Sequence, residues 1–418
     1  MVRRLPAGRA GAGLLLFADG ALFAYAVAAA DSWDFHFRQI PPRAAAWALT
    51  AGVGEAVTRL SGQPAWGVAA YHAAFLALPG VGLAATWAAD RTGRILPWAC
   101  ASTALLLPLV FAFPTELWVA HAAFWPALAL GWHAAPLPWL ALALGITALS
   151  HEAGLLWAIG AVGLLALAPG WRSLGGGMLA LLPALAGFAL LKLLVPPDPY
   201  VAEVMGRVGA EFFHWRPAFG PLLLTFGVVL GCWLLLAPLT RWAPVLVGAA
   251  WLGWWGLGLA PLHPDGRYFA RTFVFGGAAL LAFAAALGAR GWLPRPRMDW
   301  RPALLLVTLV HAGELARFTQ GWLLHAAAVR ALAATPGAGA IANTALPAAS
   351  APFAWHSTVP FLSVMLTPGY APRRLVVDPA SNYFWFGCAQ ATRNLEAARD
   401  LPQATRQQVA EYACAGRP

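Results

Sequence analysis

The chain has 418 residues, 60% of them hydrophobic and only 11% charged, with a formal net charge of +10. A soluble domain carries roughly 25% charged residues, so this composition excludes a water-facing globule. It also excludes nucleic acid as the reason for the positive charge. Lys192 is the only lysine, and the arginines sit mostly in short loops between apolar runs, which is the pattern that orients a membrane protein.

Inside lipid every backbone polar group must be paired within the protein, so apolar runs near 20 residues read as membrane-crossing helices. The continuous Ala, Leu, Val and Trp runs lack the alternation of a membrane β-barrel. The first run, 11–30, follows Arg3, Arg4 and Arg9 and reads as a signal-anchor, with a cleaved signal as the alternative. A polar loop at 31–63 with an amphipathic stretch at 42–60 comes next. Further spans are expected at 64–89, 95–113, 117–132, 136–150, 153–168, 176–195, 220–238, 244–262, 271–289 and 302–322.

With the first arginines in the cytoplasm, the loops on that side hold Arg91, Arg94, Arg172, Arg241, Arg290, Arg295, Arg297 and Arg301. The opposite side holds Asp31, Asp34, Glu55, Glu116, His151, Glu152, Asp198, Glu203, Glu211, His263 and Asp265. The expectation is an all-α polytopic membrane protein with about 11 transmembrane helices, N-terminus inside and C-terminus outside. The helical bundle occupies 1–325. From 326 to 418 the composition turns polar, with a strand-like piece at 374–378 and a helix at 397–412, and this reads as a small extracytoplasmic α/β domain. Cys388 and Cys414 are its only cysteines and would face an oxidising compartment, so a disulfide between them is expected. Cys100 and Cys232 lie in apolar runs and read as small buried side chains.

Four groups of residues could carry chemistry. Asp31, Asp34, His36 and Arg38 fall within eight residues just beyond the first run and could supply a general base or hold a divalent metal through Asp31 and Asp34. Helix capping by Asp31 is the plainer alternative. Glu116 and the Ser150-His151-Glu152 run lie at outer helix ends, where they either shape a site or cap helices. His263, Arg267 and Arg271 form an outer turn; its arginines suit a phosphate, or they reach out to lipid headgroups, and Lys192 could add a charge there. His311, Glu314 and Arg317 share a helix face and read as a buried ion pair or as a proton relay. The chain has no Walker A sequence, no His-Glu-x-x-His, no Cys-x-x-Cys, no nucleophile elbow and no internal repeat.

This layout resembles the GT-C superfamily of polytopic glycosyltransferases, which use polyprenyl-phosphate or polyprenyl-diphosphate sugars. The resemblance rests on Asp31 and Asp34 after the first span, the interfacial segment 42–60 and the extracytoplasmic tail, and it covers the whole chain as architecture. In this sequence Ser32 and Trp33 separate the two acidic residues, and the first loop is short. The resemblance implies a multi-pass protein of the bacterial inner (plasma) membrane with its catalytic face extracytoplasmic. Its donor would be a polyprenyl-phosphate-linked sugar. Asp34 would be the general base with Asp31 as second choice. Glu116, His151 and Glu152 would shape the acceptor side, while Arg267, with His263, Arg271 and Lys192, would hold the donor phosphate. A polytopic transporter or flippase and a non-catalytic envelope assembly protein are the alternatives.

Overall fold

The structure, a computed structural model, describes residues 13–195, 206, 266–267, 270–292, 301–337, 339–353, 358–378 and 401–414. The spans expected at 220–238 and 244–262, together with Cys232, His263, Asp265 and Cys388, lie outside the described residues. So do the side chains of His311 and Glu314.

The chain opens on a broken segment. A 3-10 turn at Leu14–Leu16 leads through Ala18, at φ 51° and ψ −126°, into α1, Asp19–Ala28. An L-residue rarely adopts a positive φ, so Ala18 marks a fixed break in what hydropathy reads as one run. α1 has ten residues, about 15 Å, roughly half the thickness of a bilayer core. Gly20 to Ala28 are all buried by protein. The crossing expected at 11–30 is therefore, over its described part, an enclosed short helix.

The polar loop folds into α2 (Ser32–Phe35), 3-10 turns at Phe37–Gln39 and Pro41–Arg43, α3 (Ala44–Leu49) and α4 (Ala51–Ser61). α5 (Pro64–Ala89), α6 (Leu96–Leu106), α7 (Leu117–Trp132), α8 (Leu137–Ala148), α9 (Glu152–Leu164) and α10 (Trp171–Leu194) then run back and forth, at or close to the expected spans. α11 (Arg271–Arg290) and α12 (Arg301–Ala333) follow. Prolines open α5, α6 and α8, where the missing N–H costs nothing.

Among the described residues α5, α10 and α11 are long and apolar enough to cross a membrane. Only 22% of the apolar window of α5, and the same share of α10, is buried inside the protein, so their remaining surface needs another apolar medium. Trp66, Leu76 and Trp87 of α5 and Leu179, Leu182 and Leu193 of α10 point outward. This is compatible with a membrane protein.

α7 is the hub. All its residues except Leu130 are buried, as expected of a helix that is apolar all round. α5, α8 and α9 pack against it. Gly82 of α5 lets the backbone of α7 approach at Ala122, where a Cβ on residue 82 would run into main-chain atoms. The far end of α7 holds a second polar group. His133 Nε2 lies 3.2 Å from Asp90 Oδ1, and Asp90 Oδ2 accepts from the amides of Ile95 and Leu96 at 2.7 and 2.8 Å. Burial would raise the Asp90 carboxyl, but these amides, with His133 and Thr92, hold it below its usual value.

The tail does not stand apart from the bundle. α12 continues beyond the expected end at 322 to Ala333. β1 (Ala340–Ala342) pairs in parallel with β2 (Leu375–Val377), which falls inside the expected strand. α13 (Val359–Leu366) and α14 (Gln403–Cys414) complete the described tail. Phe17 sets ring edges against Phe113, Phe318, Trp322 and Phe353, and Tyr25 of α1 meets Phe361 of α13 at 5.0 Å, so α1, α12 and the tail share one core. Cys414 is disulfide-bonded.

A candidate polar site at one end of the bundle

Helices α1, α7, α9 and α11 begin near one another, and the turns before α3 lie against them. The unpaired amides of a helix N-terminus favour carboxylates, which is why Glu116 and Glu152 are tolerated here. Arg43, last residue of the 3-10 turn Pro41–Arg43, joins the two. Its Nη1 donates to Glu116 Oε1 at 3.0 Å, while Nη2 and Nε donate to Glu152 Oε2 at 2.9 and 3.2 Å. The Ala45 amide donates to the Leu149 carbonyl at 2.9 Å and fixes this segment to the end of α8.

Two imidazoles flank the fork. His36 Nε2 is 3.9 Å from Glu116 Oε1, an electrostatic rather than a hydrogen-bonding distance. The His36 ring lies 4.9 Å from Phe23 and 5.1 Å from Phe37. His151 caps α9, its Nδ1 accepting from the Ala153 amide at 3.0 Å. That bond fixes a neutral ring with the proton on Nε2. Burial, then the Arg43 charge, pushes His151 down to about 4. Burial also lowers His36, against the pull of Glu116. Burial alone would raise both glutamates. Arg43 overrides it, holding Glu116 well below the usual carboxylate range and Glu152 at about 2. Burial works against the Arg43 charge in turn, but the two carboxylates raise its pKa overall.

Arg271 opens α11 within electrostatic reach of His151 and of Asp19, the first residue of α1. Its guanidinium lies 5.2 Å from the Phe113 ring centroid. Asp19 had no mark in the sequence beyond being a carboxylate inside an apolar run. Arg43 had one signal, an arginine on the acidic side against the charge bias.

The structure thus brings Glu116, His151 and Glu152 together, with Arg271 close by, and adds Arg43, His36 and Asp19. It sets Asp34 elsewhere. Asp34 is exposed and its Oδ1 accepts from Arg38 Nη1 at 3.2 Å. The residue locked inside the Asp31-Ser-Trp-Asp run is Ser32, whose amide donates to Glu55 Oε2 at 2.8 Å and whose Oγ accepts from Trp47 Nε1 at 2.9 Å. Asp31 precedes α2 without a side-chain cap. Arg267 is fully buried and committed to protein: its Nη1 donates to the carbonyls of Pro108 and Phe111 at 3.1 and 3.3 Å, and its guanidinium lies 4.2 Å over Phe318. That geometry ties down the 3-10 turn Leu107–Val110 after α6, in place of the phosphate contact expected of Arg267. Lys192 lies in the last turn of α10, where the helix dipole favours a cation.

Among the described residues no three His, Cys, Asp or Glu side chains gather as a metal set.

Beside α7 an apolar groove of about 440 Å³ runs between α5 and α8, from Leu49 and Ile146 at the Arg43 end to Ala89 and Leu130 at the other.

No family model matches the chain, and neither curated proteins nor solved structures provide a match.

Proposed function

We propose that the chain is a multi-pass inner-membrane (plasma-membrane) glycosyltransferase that moves a sugar from a polyprenyl-phosphate-linked donor to an acceptor at the extracytoplasmic face. The observation that carries this reading is the convergence of His36, Arg43, Glu116, His151 and Glu152 at one end of an apolar bundle, beside a groove with no charged side chain. A lipid-borne donor has its tail in the bilayer and its phosphate at the interface, so the reacting carbon is held at one depth. A site for it needs cations for the departing phosphate, a base for the acceptor hydroxyl and an apolar path for the tail.

The roles follow from which groups are already engaged. Glu116 and Glu152 are neutralised by Arg43 and serve to hold it. Arg271 would meet the leaving phosphate. Asp34, exposed in a surface pair with Arg38, a weak restraint, would take the proton as the acceptor oxygen attacks the sugar carbon and the carbon–phosphate-oxygen bond breaks.

The test is sugar transfer from labelled polyprenyl-phosphate sugars by the purified full chain in lipid. Asp34→Asn is expected to lower turnover by about 10²–10⁴-fold with folding intact. Wild-type rates in both Asp34→Asn and Asp31→Asn would remove the first loop from catalysis. Absence of transfer from every polyprenyl sugar, together with absence of bound lipid phosphate, would overturn the reading.

A further inference from the structure

Three buried polar atoms on α1, α5 and α7 have no hydrogen-bond partner among the described residues: Asp19 Oδ1, Tyr71 Oη and Trp118 Nε1. Tyr71 is 1% exposed and Trp118 4%. Trp118 follows Glu116 by two residues at the start of α7, and its ring stacks on Phe75 of α5 at 5.2 Å. Tyr71, one turn earlier on α5, lies 6.2 Å from Phe75 and within electrostatic reach of both Glu116 and Asp19. Asp19 in turn feels Glu116, Arg43 and Arg271. Leaving one buried polar atom unsatisfied is costly, and three beside one ion-pair network are not what packing alone would select.

The chemistry of the three atoms narrows what satisfies them. The indole N–H only donates, the carboxylate oxygen only accepts when ionised, and the phenol does both. An anion would be repelled by Asp19, while Arg43 is already answered by two glutamates. A cation would find no use for the indole donor. A neutral ligand with neighbouring hydroxyls, each able to donate and accept, matches all three. The Tyr71–Phe75–Trp118 aromatic row beside them offers the apolar faces that sugar rings cover.

We propose that Asp19, Tyr71 and Trp118 form a subsite for a neutral polyhydroxylated ring, the sugar itself, separate from the cations that would meet phosphate. The name of the ligand rests on the transferase reading, whereas the donor–acceptor match does not.

The experiment uses the purified full chain in lipid nanodiscs, titrated with glucose, mannose, galactose and arabinose and followed by saturation-transfer difference NMR, with inorganic phosphate as a control probe. One of these sugars is expected to bind saturably. Tyr71→Phe and Asp19→Asn, which keep shape and remove one hydrogen-bonding function each, are expected to weaken it about 5-fold, and Tyr71→Phe to leave phosphate binding unchanged. The melting temperature of Tyr71→Phe without sugar should equal or exceed that of wild type, because the variant removes an orphaned hydroxyl; a purely structural hydroxyl would lower it. The subsite is overturned if no neutral sugar binds saturably, or if both variants bind as wild type does. Normal sugar binding and transfer by both variants sinks the subsite and leaves the transferase reading standing. Tyr71-dependent sugar binding without transfer from any polyprenyl donor does the reverse.

Discussion

Arg43 carries two carboxylates on one guanidinium, and its geometry sets what each substitution does. Removing it strands Glu116 and Glu152, which are largely shielded from water, so Arg43→Ala is expected to cost about 3–5 kcal/mol. Arg43→Lys cannot reproduce the fork and should recover only part of that loss. Thermal melts of the two variants, with Glu116→Gln and Glu152→Gln added to Arg43→Ala, check this; the neutralised background should regain stability if stranded charge is the cause. The imidazoles set the acid limit. The unfolded His151 titrates near 6.5 and the folded one at about 4, so between those values the unfolded chain binds a proton that the folded chain refuses. The contribution of this residue therefore falls as pH drops from 6.5 to 4, by about 3 kcal/mol. Glu116 and Glu152 act in the same direction lower down: their depressed values stabilise the fold above the ordinary carboxylate range, and Glu152 loses its share as pH falls towards 2. His151→Asn keeps a capping side chain and should flatten the 6.5–4 slope in melts across that range, whereas an unchanged slope would move the titration to another group.

At the scale of elements, two glycines on one helix separate packing from propensity. Gly82 faces the α7 backbone at Ala122, so Gly82→Ala forces α5 and α7 apart and is expected to cost about 1–3 kcal/mol. Gly80, a half-turn away, has nothing within 4 Å of an added Cβ, so Gly80→Ala should be neutral or stabilise by about 0.5–1 kcal/mol. Melting temperatures that move together would place the α5–α7 contact elsewhere. Helix existence was legible in the sequence because apolar runs and loop prolines are local signals, and 64–89 and 117–132 coincide with α5 and α7. The break at Ala18 was not legible, because nothing in Phe17-Ala18-Asp19 requires a positive φ until Gly20 is pressed against the Leu15 carbonyl and Pro114. The same distinction holds at the polar site. Glu116 and His151-Glu152 were visible as polar residues at the ends of apolar runs. Arg43 binds residues 73 and 109 positions away in sequence, and no local pattern carries that information.

For the whole molecule, the two polar ends and the apolar sides between them suggest an orientation that can be tested. α7 runs from Glu116 at the Arg43 cluster to His133 at Asp90, about 24 Å for its 16 residues. Arg94 donates to the Ala289 carbonyl at that second end, near Arg91 and Arg290, so the basic loops gather opposite the acidic cluster. Cytoplasmic loops of membrane proteins carry the excess of arginine, so on the proposed reading the Asp90 end would face the cytoplasm and the Arg43 end the outside. The tail packs on α1 and α12, and Thr405 of α14 donates to the Tyr370 carbonyl at 2.7 Å, so the chain's last described helix is held to the body of the tail. A disulfide at Cys414 fits an oxidising compartment on the same side. Two measurements follow from one orientation. A reporter active only in the cytoplasm, fused after Pro418, should be silent, while single cysteines introduced at Arg38 and Arg91 should be labelled by membrane-impermeant reagent from outside at residue 38 alone. Non-reducing mass spectrometry should recover the Cys414 peptide joined to the Cys388 peptide. An active reporter with labelling at 91 would reverse the orientation, put the polar cluster in the cytoplasm and require a donor presented from that leaflet.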